Sequence, residues 1–445
     1  MAIVVVAAAA ARPGAAQVFP APPSVDVLEN GLVVVTAPTD SPGIAASYIL
    51  VRTGSRDEVE PGRTGFAHFF EHMMFRGTER YPADAYERML QSFGADNNAY
   101  TSDDETCYTV VLPSAALPPL LDIEGDRFRN LSYGVEAFQT EAHTIHGEYR
   151  TAVSDPSLRM LETLLPMAFT RHTYGHTVIG WEDDIRGMPD LYEFSLSFFR
   201  RYYTPDNATV IVAGDVDRDS IAALVREKFG LWRGRRDSPE IPVEPEQTEP
   251  RSAHVDWPGP APRWMFVGWK APGFSTATVD SAALDVAAEI LFGGTGDLYE
   301  RLVVQERRLL TLEPWPSRNR DPSLLVVDAK LADGVAFDEI VDRMQRAADD
   351  LAAGNVDPAR VEEVKSHVRY ALPMSLQTPA DAAGLLARFI AATGDPASVE
   401  DYARRVADVT PQDVVRVARA NLAASRRNVV TLAPAAAEAA EGGSP

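Results

Sequence analysis

The chain has 445 residues, too many for one ordinary hydrophobic core, so two domains of roughly 200 residues each are expected. Its 45% hydrophobic and 24% charged residues are those of a globular protein rather than a disordered or membrane-embedded one. With 42 Lys and Arg against 64 Asp and Glu the formal charge is −22, a balance that repels nucleic acid and anionic membrane and excludes both as expected partners.

Met1-Ala-Ile-Val-Val-Val-Ala-Ala-Ala-Ala-Ala11 resembles the apolar part of an export leader, and Ala15-Ala16-Gln17 is a tolerable cleavage site, although leading positive charges are missing. Residues 1–23 are therefore set apart as leader-like. They point to a periplasmic or otherwise exported protein, with a cytoplasmic one as the alternative. Nothing later is long and apolar enough to span a bilayer. Strands follow at 31–36 and 44–52, then a helix at 66–75. A second helix, 84–93, is stopped by Gly94. Strands at 98–102 and 105–112 are joined by a short polar turn. The second of them holds Cys107, the only cysteine, which rules out an intrachain disulfide and reads as a buried structural thiol. A long charged helix spans 135–153, and a strand at 208–214 precedes a helix at 221–229. Residues 236–252 are rich in Pro and Glu without apolar periodicity, as an interdomain linker would be. Beyond them a strand at 264–269 and a helix at 278–291 restart the pattern, which closes with a helix at 411–422 and a strand at 429–432. Residues 434–445 are Ala/Glu/Gly/Ser-rich and read as a disordered tail. The two halves share an order of elements, a weak internal repeat of α+β units.

The chemistry concentrates at His68-Phe-Phe-Glu71-His72, in a proline-free stretch that Thr64 can cap. Residues four apart share a helix face, so His68 and His72 can point at one ion. Glu71 adjoins that face, close enough to reach a water on the metal. Two imidazoles need at least one more protein ligand, with a position left open for hydrolysis. The 135–153 helix offers Glu136, Glu141 and Glu148. Glu141 and Glu148 are two turns apart and share a face, so one could bind metal while the other orients a ligand; spacing does not say which. The metal would acidify water and polarise a carbonyl, and Glu71 would carry the proton to the leaving group. Two histidines on an apolar helix face could instead be core residues. His143 and His146 form a competing HxxH, turned away from the Glu141/Glu148 face, and read as surface or core. His172 and His176 lie in a Gly/Tyr/Thr-rich loop and read as structural.

With these residues in view, five segments carry a resemblance. They are Gly65-Phe-Ala-His-Phe-Phe-Glu-His-Met-Met-Phe-Arg-Gly-Thr78, Asn98-Ala-Tyr-Thr-Ser102, Gly175-His-Thr-Val-Ile-Gly-Trp181, Tyr203-Thr-Pro-Asp-Asn-Ala-Thr209 and Val212-Ala-Gly-Asp-Val216. They resemble the inverzincin peptidases, the pitrilysin, insulinase and mitochondrial processing peptidase family. The likeness covers nearly the whole chain. It implies a zinc metalloendopeptidase with one zinc ion per chain. It implies Glu148, 76 residues past His72, as the third ligand, and Glu141 as the acidic residue supporting the ligands. Asn98 and Ala99 fall on the strand whose backbone pairs with an extended peptide. One departure stands out. Where the family usually carries an Arg and a Tyr that grip substrate and the oxyanion, this chain has Val303 and Thr311 near those positions, with Arg301, Arg307 and Arg308 close by. Loss of such an oxyanion donor typically costs about a hundredfold or more in rate. The resemblance to the short two-subunit members implies a homologous partner subunit, in a heterodimer, that supplies the Arg/Tyr pair.

The fold class expected is α+β: two similar domains, 24–235 and 253–433, each an antiparallel-rich sheet covered by helices, with the metal in the first. The function expected is hydrolysis of peptide bonds in peptides or unfolded segments. The alternatives are a metal-binding, weakly active structural subunit of a larger assembly, and a metal hydrolase acting on a non-peptide substrate.

Overall fold

The computed structural model describes residues 17–435; the leader-like stretch up to Ala16 and the tail from 436 onward lie outside the described residues. Two sheets organise the rest. The first contains β1 (Ser24–Val27), β2 (Val33–Pro38), β3 (Ile44–Val51), β4 (Asp96–Thr101), β5 (Thr106–Pro113) and β6 (Ala208–Gly214), in the order β1-β2-β6-β3-β5-β4. The second contains β7 (Arg251–Trp257), β8 (Arg263–Ala271), β9 (Leu309–Trp315), β10 (Ser323–Leu331) and β11 (Arg427–Pro434), in the order β7-β11-β8-β10-β9. Each sheet has one parallel pair, β2 with β6 and β7 with β11, and is otherwise antiparallel. Apart from β1, the two sheets run through the same order of strands. The expected α+β class with two similar units is what the structure has.

The internal repeat differs from expectation in one detail. The first half was expected to end on the helix at 221–229, as the second does on 411–422. In the structure the helix before β11, Pro411–Asn421, has its counterpart in Tyr192–Tyr202, which precedes β6. The helix Arg218–Phe229 packs instead on β2 and on the helix Leu117–Asn130. Its apolar residues Ile221, Val225 and Phe229 are spent on that contact.

The helices of the first half that matter here are α1 (Phe66–Met73), α2 (Ala83–Phe93), α3 (Leu117–Asn130), α4 (Val135–Ala152) and α5 (Pro156–Ala168). The halves are interleaved. Helix α5 leaves the first sheet and lies on β7, β8 and β11, where Met160 and Leu164 pack with Phe266, Leu324 and Val430. In return, the helix Pro379–Thr393 crosses to the first sheet and covers β3, β5 and β6. This explains why β3 and β6 are apolar along their length rather than alternating. Val34, Ala45 and Ile49 face α1 and its neighbours, while Val35, Ala46, Leu50 and Ile211 face the core shared with Pro379–Thr393. Cys107 is buried in that second core. From residue 231 to 250 the chain has neither helix nor strand, and β7 begins inside the Pro/Glu-rich segment. No helix among the described residues is long and apolar enough to cross a membrane.

Candidate metal centre

Helix α1 reads Phe-Ala-His-Phe-Phe-Glu-His-Met, and its aromatic residues fix its orientation. Phe70 stacks on Phe198 with ring centroids 5.4 Å apart, Phe66 meets Phe194 edge-on at 4.7 Å, and Phe69 meets Phe138 of α4 at 5.0 Å. With that side buried, His68, Glu71 and His72 are left half-buried on the side of α1 that faces the end of α4. Thr64 does not cap the helix, contrary to expectation. Its hydroxyl donates to Asp184 at 2.7 Å and accepts the Trp181 N–H at 2.8 Å. The cap position is Gly65, whose φ of 89° is left-handed and favours glycine. The backbone N–H groups of Gly65 and Ala67 donate instead to the buried carboxylate of Glu58, at 2.8 and 2.7 Å.

Glu148 reaches both imidazoles from α4. Its Oε2 lies 3.7 Å from His68 Nε2 and 3.4 Å from His72 Nε2, and the three ligand atoms are within 4.8 Å of one another. Ligand atoms about 2.0–2.1 Å from one tetrahedral ion stand about 3.3–3.4 Å apart; Glu148 Oε2 and His72 Nε2 already have that spacing, and His68 would have to draw in to share a zinc ion with them. Two imidazole nitrogens and a carboxylate oxygen are also the donor set of an open hydrolytic site. Glu141, buried two turns earlier on α4, does not join that group. Its Oε1 is 3.0 Å from His72 Nδ1, and its Oε2 accepts from Arg76 Nε at 2.5 Å. The Glu141 carboxylate, held by Arg76, thus meets His72 at Nδ1, while His72 Nε2 faces Glu148. His68 Nδ1 is buried without a hydrogen-bond partner among the described residues.

The electrostatics follow from burial and these contacts. Burial, and then the neighbouring His72, push the His68 pKa down to about 4, so its ring is neutral, as a ligand must be. Burial works in the same direction on His72, but the Glu141 hydrogen bond and the carboxylates of Glu148 and Glu71 outweigh it and raise its pKa. For Glu141, burial is outweighed by the donors His72 and Arg76, which hold it below the ordinary carboxylate range. Burial raises the pKa of Glu71, opposed by the hydroxyl of Thr101, which donates to Glu71 Oε2 at 2.6 Å.

A cavity of about 370 Å³ opens beside these groups, lined by Glu71, His72, Phe75, Arg76, Asn98 and Ala99 among others. Asn98 and Ala99 lie on β4, the edge strand of the first sheet. The Ala99 N–H is turned to the side-chain oxygen of Asn98, at 2.9 Å. His143 is exposed and His146 half-buried, both outside the cluster. His172 and His176 are buried in the loop. His172 Nδ1 accepts the Tyr174 N–H and Nε2 meets Asp321 of the second half at 3.0 Å; His176 sits 3.8 Å from Glu58. Around the position of the absent Arg/Tyr pair, Arg301 and Arg307 are exposed, Arg308 pairs with Glu339, and Thr311 accepts the Lys330 N–H. Sequence reasoning assigned no role to Arg76, Thr101 or Glu58. Arg76 carried a signal, since it lies one turn past His72. Thr101 carried another, two residues beyond Ala99 on the same strand.

The chain is similar to known proteases. The family model described as insulinase (peptidase family M16) matches residues 33–181, a span that holds His68, Glu71, His72, Glu141 and Glu148, and the model described as the peptidase M16 inactive domain matches residues 192–368. The zinc protease PqqE of Helicobacter pylori is 28% identical over 416 residues, 92% of each chain. A crystal structure of a protease from Helicobacter pylori superposes with a TM-score of 0.85 at 27% identity, covering 93% of this chain and 99% of that one. The periplasmic protease PqqL from Escherichia coli shares the fold, with a TM-score of 0.76 at 18% identity; the match covers 94% of this chain and 48% of that longer one.

Proposed function

The chain belongs to the M16 peptidase family, and from that premise we propose that it is a zinc metalloendopeptidase acting on peptides or unfolded segments. In this reading His68, His72 and Glu148 hold one zinc ion per chain, Glu71 is the general base, and Glu141 orients His72. The observation that carries it is the convergence of two imidazole Nε2 atoms on Glu148 Oε2, at 3.7 and 3.4 Å, with the Glu71 carboxylate on the next turn position of the same helix.

A bound zinc ion supplies a Lewis acid that polarises the scissile carbonyl and acidifies the attacking water. The protein's part is proton handling and positioning. Glu71, its pKa raised by burial, takes the proton of the water and returns it to the leaving nitrogen. An extended substrate adds to the free edge of β4, its carbonyl replacing the Asn98 side chain on the Ala99 N–H. The second half, lacking the Arg and Tyr at Val303 and Thr311, leaves the oxyanion short of a donor, which we assign to a homologous partner subunit. The E. coli relative in fold is about twice as long as the matched span, which supports a working unit of two such pieces. The division into domains 24–235 and 253–433, joined by 236–252, belongs to this reading and is supported by the repeated strand order. So does an exported, periplasm-like location, which the leader-like start supports; N-terminal sequencing of the mature protein tests it.

The rival reading, a metal-binding but weakly active structural subunit, has the missing Arg/Tyr pair in its favour. Metal analysis together with peptide cleavage separates them. We expect one zinc per chain, cleavage of a mixed peptide pool, loss on chelation and recovery with zinc. Stoichiometric zinc without cleavage, alone or with any homologous subunit, supports the rival instead.

A further inference from the structure

We propose that Thr101 is a positioning residue for Glu71. It would act by holding the base's carboxylate through Oε2 from the end of the edge strand to which substrate adds. This rests on the reading of Glu71 given above. The contact is a short hydroxyl-to-carboxylate hydrogen bond of 2.6 Å, within the charge-assisted range. Glu71 Oε1 accepts no hydrogen bond among the described residues, so the carboxylate is anchored at one oxygen and open at the other. Glu71 has three rotatable bonds, and on a half-buried helix face nothing else pins its far end. A base displaced by about 1 Å from its productive place can lose about 10²-fold in rate.

Thr101 is itself a fixed point. Its β-branched side chain is stiff at χ1, and its backbone pairs with Thr106 of β5. Just beyond it, Ser102 N–H donates to the Glu105 carbonyl at 2.8 Å, closing the turn. The turn is then gripped by the second half: Asn319 Nδ2 donates to Asp103 at 2.8 Å and the Arg320 N–H donates to Asp104 at 2.8 Å. From the other side, the Arg56 N–H donates to the Asp103 carbonyl at 2.8 Å. The half of the chain that carries none of the proposed metal ligands therefore holds the strand end that holds the base.

The test compares wild type, Thr101→Val, Thr101→Ser and Glu71→Gln as zinc-loaded full chains, with zinc content, thermal melting, kcat and KM measured for each on one peptide. Thr101→Val keeps the shape and removes the donor. It is expected to lower kcat about 10- to 100-fold with KM and zinc content unchanged. Thr101→Ser keeps the donor and should recover most of the loss. In the Glu71→Gln background, Thr101→Val should cost nothing further. Wild-type kcat in Thr101→Val overturns the proposal, as does an equal loss in the Val and Ser variants, or an undiminished loss in the Glu71→Gln background. Equal cleavage by wild type and Glu71→Gln sinks the reading of Glu71 itself, a separate result. If Thr101→Val does not fold, Thr101→Ala, which also lacks the donor, takes its place with the same kcat-against-KM, zinc and Glu71→Gln comparisons and the same overturning results.

Discussion

Both ring nitrogens of His72 have a partner: Nδ1 with Glu141 at 3.0 Å and Nε2 toward Glu148 at 3.4 Å. The pair Arg76 and Glu141 lies behind the first of these, so a change there should reach the metal without touching it. We expect Glu141→Gln to weaken zinc binding about 10- to 100-fold, read by competition with a chelating dye, with the fold intact. Unchanged affinity would mean that Glu141 does not orient His72. At this scale, what depends on one element was legible in the sequence. The helical spacing sets His68, Glu71 and His72 together whatever surrounds them. The choice between Glu141 and Glu148 was not legible by spacing, because it depends on how α1 and α4 cross, and Phe69 against Phe138 sets that crossing. Thr101, Arg76 and Glu58 stayed hidden for the same reason: each acts on a residue of another element.

Among elements, the polar contact between the first half and residues 317–321 has the clearest energetic signature. Asp321 Oδ2 accepts from His172 Nε2 at 3.0 Å and from Arg56 Nε at 2.6 Å. The His172 hydrogen bond and then the Arg56 guanidinium hold its carboxyl well below the ordinary range, against partial burial. A carboxyl depressed in the folded state adds stability that is complete above its unfolded value of about 3.9 and is lost as pH falls through the folded one. Melting temperature should therefore drop as pH falls below about 4, and drop less steeply in Asp321→Asn. At neutral pH that variant should be about 2 kcal/mol less stable, less than a fully buried pair would lose, because Asp321 keeps some exposure. An identical pH dependence in both proteins would remove Asp321 from this role. Gly54 gives a handle on the neighbouring β4–β5 turn, which Asn319 and Arg320 grip. A Cβ there would stand 2.2 Å from the Ser102 carbonyl oxygen, so Gly54→Ala should push the turn away and lower both stability and turnover; unchanged values for both would contradict the account. The turn's Asp103-Asp104 pair was visible in the sequence as a polar loop, but its partners, more than 200 residues away, were not.

For the whole molecule, the expectation of two similar units was legible because each repeats a strand and helix pattern. The exchange of helices was not. Apolar helices such as α5 and Pro379–Thr393 look the same whichever sheet they cover. The continuous burial of β3 and β6 was the available signal, since a strand covered on both faces needs helices on both sides. Exchange has a consequence. Residues 24–235 alone would expose Val35, Ala46, Leu50 and Ile211, with α5 left without its sheet. We expect that piece to aggregate or melt without cooperativity when made alone, and to be rescued by co-expression with 253–433; a monomeric, cooperatively melting fragment would contradict the interleaving. The proposed partner also belongs to this scale. A second, homologous chain bearing an Arg and a Tyr should raise turnover about a hundredfold, and a full rate from the purified chain alone would remove the need for one.

In the proposed reaction Glu71 moves a proton beside a metal held by His68, His72 and Glu148. The most direct measurement is peptide cleavage by wild type and Glu71→Gln, each with its bound zinc determined in the same sample. Glu71→Gln keeps the size of the side chain and the Thr101 contact but cannot accept the proton. We expect equal zinc in both proteins and a fall in kcat of about 10²- to 10⁴-fold in the variant. Equal zinc with equal cleavage would contradict it.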